Sequence, residues 1–129
     1  MKKVALLLLL TISTWAAAER FVKIGEAIDR KALLWYDIDS FSQVKLETGT
    51  SLAGVFRVTG DAGGTPRSMK ALVSHKDCVA RSGTLTLQMQ SEDREAWLKP
   101  PGFARWTAGG NQFSDQMADR LCSHLKNSP

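Results

Sequence analysis

Histidine and cysteine are scarce in this sequence, at two of each. No serine or cysteine nucleophile motif accompanies them, so the convergent polar set that an enzyme pocket needs is missing. No run of five or more basic residues occurs, which removes the usual footprint of a nucleic-acid binder. The one long apolar stretch, Val4 to Ile12, stops at Ser13. A membrane span needs about 20 apolar residues, so this stretch is too short to be one. Residues 19–129 contain no fixed-period repeat and no low-complexity segment.

What the first residues do contain is an export signal. Lys2 and Lys3 form a positive start, Val4 to Ile12 an apolar core, and Ala16-Ala17-Ala18 the small residues a signal peptidase requires. Cleavage is expected between Ala18 and Glu19, because a cut one residue earlier would set Trp15 where a small side chain belongs. Residues 1–18 are then the signal peptide and 19–129 a single domain of 111 residues. That length suits one modest core. No cysteine follows the cut to accept a lipid, so the expected location is the periplasm or the exterior, with no membrane span after cleavage. The chain has 17 basic and 13 acidic residues; without Lys2 and Lys3 the balance is 15 against 13, a net charge of +2.

Export places Cys78 and Cys122 in an oxidising compartment, where an even pair suggests a disulfide. It would close a loop of about 45 residues, worth about 4 kcal/mol by chain entropy. A rival set, His75, Cys78, Cys122 and His124, could supply four zinc ligands. Cys122 and His124 would then stand about 200° apart on a helix, which disfavours it. No metal or other cofactor is expected.

Alternation predicts strands over Phe21 to Ala27, Leu34 to Phe41, Val44 to Glu47, Gly54 to Gly60 and Thr84 to Gln90. In the second, Leu34, Tyr36 and Ile38 share one face, with Trp35, Asp37 and Asp39 on the other. Gly49 marks a turn, and Gly60 to Pro66 reads as a loop. Ser68 to Val79 reads as one long strand with a β-bulge between Val73 and Cys78 to reconcile their parity. Glu92 to Glu95 reads as a charged turn, and Trp97 to Trp106 as irregular. Ser114 is the expected N-cap of a C-terminal helix whose apolar stripe is Phe113, Met117, Ala118, Leu121, Cys122 and Leu125. The expected fold class is α+β, an antiparallel sheet packed against that helix, with one disulfide.

Several residues in this layout form a recognisable series. Trp35-Tyr36-Asp37-Ile38-Asp39-Ser40 is followed by Val55-Phe56-Arg57-Val58, then Ser68-Met69-Lys70, Asp77-Cys78, Trp97 with Pro100-Pro101-Gly102, and a helix bearing Cys122. The series resembles the surface-adhesin protein E-like domain family of Gram-negative bacteria. The resemblance implies an antiparallel sheet on a C-terminal helix tied by a disulfide. It also implies a role in binding, since the naming member is an adhesin for host matrix and serum proteins. That member is a lipoprotein, whereas this chain lacks the lipid-accepting cysteine.

Asp37 and Asp39 could hold a cation or do acid–base work, although a solvated strand face accounts for them more simply. Trp97 and Trp106 could anchor a partner, or cover the end of a small core. Arg57, Lys70, Lys76 and Arg81 could together meet an acidic partner. The expected function is a non-enzymatic, exported interaction domain that binds a protein or cell-envelope component. The alternative is a periplasmic inhibitor of a lysozyme-type enzyme that presents Gly60 to Pro66 to a substrate cleft.

Overall fold

The computed structural model describes residues 20–27, 31–60, 66–89 and 101–126. Among them are β1 (Phe21–Glu26), β2 (Ala32–Asp37), β3 (Ser42–Leu46), β4 (Gly49–Gly60) and β5 (Arg67–Ser74). α1 (His75–Ala80), β6 (Ser82–Met89), β7 (Gly102–Thr107) and α2 (Phe113–Lys126) complete the order. Every strand pairing is antiparallel, and the sheet order is β1-β2-β4-β5-β6-β7, with β3 also paired to β4. The expected class holds: an antiparallel sheet packed on a C-terminal helix. The predicted signal peptide, the Glu92 to Glu95 turn, Trp97 and most of the Gly60 to Pro66 loop lie outside the described residues.

β4 organises the sheet. Its first half pairs with β3, its second half with β2, and β5 runs along the opposite edge. Where β3 gives way to β2, the N–H of Val55 donates to the hydroxyl of Ser40 at 2.8 Å. That hydroxyl in turn donates to the carbonyl of Asp37 at 2.7 Å. One serine thereby satisfies a backbone group that the change of partner strand would strand without a bond.

The alternation read from the sequence fixes the faces. Leu34 and Tyr36 of β2, Leu52 and Phe56 of β4, Met69, Ala71 and Val73 of β5, Leu85 of β6 and Trp106 of β7 point inward. Met117, Ala118 and Leu121 of α2 fill the space above them. Phe113, Cys122 and Leu125 pack against the same cluster, so the predicted apolar stripe is the face that docks. Each fully buried side chain of this size contributes roughly 1.5–3 kcal/mol. Gly54 sits beneath the helix, where an added β-carbon would lie 2.9 Å from both Leu121 and Tyr36. Only glycine lets the helix come this close.

Three sequence expectations are corrected. The long strand ending at Val79 does not exist: β5 stops at Ser74, and residues 75–80 are helical. Ser74 caps that helix, accepting the N–H of Asp77 at 3.1 Å. The parity break between Val73 and Cys78 is thus a strand-to-helix change and not a bulge. Residues 102–107, expected to be irregular, form β7, with Trp106 inward and Phe103 outward. The helix begins one residue before Ser114. The carbonyl of Gln112 accepts the first helical bond, from Gln116 at 3.0 Å, which makes Gln112 the cap. Asp115, three residues on, accepts the Gln112 N–H at 3.0 Å, the reciprocal half of a capping box.

Candidate interaction surface and disulfide cleft

Cys78 comes from α1 and Cys122 from the docking stripe of α2. They form a disulfide with Cα atoms 5.5 Å apart, within the range an unstressed bridge requires. This excludes the zinc set, because both sulfurs are joined. His124 turns elsewhere: its Nε2 lies 3.0 Å from the Tyr36 hydroxyl. The ring of Phe41 stacks on it at 3.9 Å. Burial, and secondarily the Arg120 guanidinium, push the His124 pKa down. Burial pushes the Tyr36 phenol up, and Asp37 adds to that, while Arg120 and a Ser40 hydrogen bond oppose it.

Asp37 and Asp39 do not share a strand face. β2 ends at Asp37, and the chain turns at residues 38–39. Asp37 Oδ1 accepts the Asp39 N–H at 3.0 Å, which makes it the residue that folds the turn. Asp39 is exposed and pairs with Arg20 at 3.6 Å. Trp106 is 3% exposed and belongs to the core, so it has little surface to give a protein partner. His75 opens α1 and is exposed. Among the described residues, no group of three or more His, Cys, Asp or Glu is placed to hold a metal.

The helix covers one face of the sheet. The opposite face follows from register. Ala53, Leu72, Thr86 and Phe103 stand side by side across four strands. The neighbouring rows carry Val55 beside Lys70, and Trp35 beside Arg57. Trp35 Nε1 donates to Thr59 Oγ1 at 2.9 Å, holding the indole against this face. The Arg57 guanidinium lies 4.1 Å from the Phe21 ring centre, a cation–π distance. Phe103 is 69% exposed at the end of the first row. Sequence reasoning named Arg57 and Lys70 and missed the row, because it assigned no face to Leu72 or Phe103 and these residues meet only through strand register. Of the four predicted basic residues, Arg57 and Lys70 lie here, while Lys76 and Arg81 belong to α1 and its cap.

The sheet edges are managed. On β7 the Arg105 carbonyl accepts the Ser114 hydroxyl at 2.9 Å, and the Thr107 N–H donates to Asp115 Oδ1 at 2.7 Å. β1 carries a register irregularity between Lys23 and Gly25. Such features discourage edge-to-edge pairing. Two clefts, of about 490 and 500 Å³, flank α1 and share His75 and Leu125. The first has the disulfide in its wall. No helix among the described residues is long and apolar enough to cross a membrane. Set against family models, curated proteins and solved structures, the chain finds no match in any of the three.

Proposed function

We propose that this chain is an exported, non-enzymatic interaction domain of the surface-adhesin protein E-like kind. It binds a protein or cell-envelope partner through the sheet face that α2 leaves uncovered. The observation that carries the reading is the row Leu72, Thr86 and Phe103, which runs outward from the buried Ala53 and ends in a phenylalanine that is 69% exposed. An exposed aromatic on a face that also carries Lys70 and Arg57 suits a protein contact surface. The disulfide and the family resemblance support the same reading.

The test is capture from cell-envelope extract with the purified protein and with a Phe103→Ser, Lys70→Glu variant. Phe103 is exposed and Lys70 is half-buried at the outer face, so the variant should keep its fold, checked by its melting temperature, and lose its partner. Undiminished capture by the variant sinks the reading. So does turnover of an envelope substrate that stops when Asp37, Asp39 and His75 are replaced together by Ala.

A further inference from the structure

The cleft beside the disulfide lies where α1, the turn after β7 and the second half of α2 meet. Its volume of about 490 Å³ is in the range of small-ligand sites. Cys78, Cys122, Val79 and Leu125 give it an apolar wall, and Val79 is 72% exposed there.

Two departures from ordinary structure meet at this wall. Arg81 caps α1 in the left-handed conformation, with φ 65° and ψ 21°. Among the described residues it is the one non-glycine with positive φ. Glycine holds that position without strain, and a β-carbon does not. The chain places a guanidinium there instead, and its backbone is fixed by bonds to the Cys78 carbonyl and from the Ala108 N–H. The second departure is Trp106. It lines the cleft, and its buried Nε1–H has no acceptor. Orphan donors of this kind are rare in native proteins and call for a reason.

We propose that this cleft binds a monoanionic carboxylate attached to a compact apolar group. Arg81 pairs with the carboxylate, a charge-assisted contact that a planar fork makes well. The Trp106 N–H, shut off from solvent in this structure, donates to an oxygen of the ligand once the indole turns outward, and Val79, Leu125 and the disulfide cover the apolar part. Asp119 also lines the cleft, with one oxygen accepting the Gly109 N–H at 2.9 Å. Its charge opposes entry of any anion, so the Arg81 contact has to outweigh it. The C-terminal residue of a peptide and a short fatty acid both have this chemistry. The site is separate from the outer sheet face, so its fate does not depend on the function proposed above.

The test uses ¹⁵N-labelled protein and three probes: acetyl-Leu-Leu, its C-terminal amide, and octanoate. Either acid, at about 10 mM or below, should move the Trp106 indole N–H resonance, and the amide should not. The tighter of the two acids identifies the source of the carboxylate. Arg81→Gly should weaken acid binding by about tenfold or more while raising the melting temperature, because it relieves the cap. A purely structural arginine would not lose binding as the fold gains stability. An unmoved indole signal with both acids overturns the proposal, as does a shift that persists undiminished in Arg81→Gly.

Discussion

The hydroxyl of Tyr36 and Nε2 of His124 meet at 3.0 Å across 88 positions of sequence. This joins the second strand to the last turns of the helix. His124 carries a lowered pKa from burial first and Arg120 second. The unfolded chain therefore binds a proton more readily than the folded one, and stability rises with pH. The His124 contribution is full above about pH 6.5 and is lost as pH falls below that value toward the depressed folded pKa. An NMR titration of the His124 ring should give a midpoint below 6.5, and His124→Gln should flatten the slope of stability between about pH 7.5 and 5.5. A midpoint at or above the ordinary value contradicts this.

Tyr36 has the opposite sign. Its raised pKa, caused chiefly by burial, means that the fold favours the neutral phenol. Its contribution is complete below about pH 10 and disappears as pH climbs through the folded pKa. Ultraviolet titration of wild type against Tyr36→Phe should place this phenol above the ordinary range. Ionisation at the ordinary value would refute the assignment.

Gly54 is a point of close approach of helix to sheet. Gly54→Ala forces a β-carbon to 2.9 Å from two buried side chains, and should cost about 1–3 kcal/mol. Gly60→Ala meets nothing within 4 Å and should be close to neutral. Equal costs for the two in denaturant unfolding would show that the contact is relieved freely.

The Cys78–Cys122 bridge should appear in mass spectrometry as a two-proton deficit and one linked peptide pair. Replacing both cysteines by Ser should lower stability by about 4 kcal/mol, from a loop whose ends are 44 positions apart. Two free thiols in protein from the oxidising compartment would disprove it.

Asp115 is 8% exposed and accepts two backbone N–H groups, from Thr107 and Gln112. Asp115→Ala leaves both donors without this acceptor and should cost about 1–3 kcal/mol. Asp115→Asn keeps one acceptor oxygen and should cost less. Equal losses in thermal unfolding would argue that the carboxylate only fills space.

Much of the fold was legible because the relevant signals are local. Leu85 and Leu87 alternate with polar neighbours, and the stripe from Phe113 to Leu125 has helical period, so β6 and α2 could be read directly. The helix at residues 75–80 was missed, although Ser74-His75-Lys76-Asp77 has the spacing of a capped helix start. A run of apolar residues read as strand outweighed it. β7 was missed because Phe103 and Trp106 occupy opposite faces, so its large side chains do not alternate. The outer row could not be read at all, since it exists only once four strands are in register. The cleft is invisible for the same reason: its wall gathers residues from α1, α2 and the turn between β7 and α2.

Asp115 reaches the edge strand β7 through Thr107, and its neighbour Gln116 presses against Gly25 of the opposite edge strand β1. Two consecutive residues of α2 therefore touch both edge strands of the sheet. The two side chains leave the helix about 100° apart. Inserting a single residue between Asp115 and Gln116 would keep one margin and rotate the other contact away. The helix thus ties the two edge strands together through a pair of adjacent side chains.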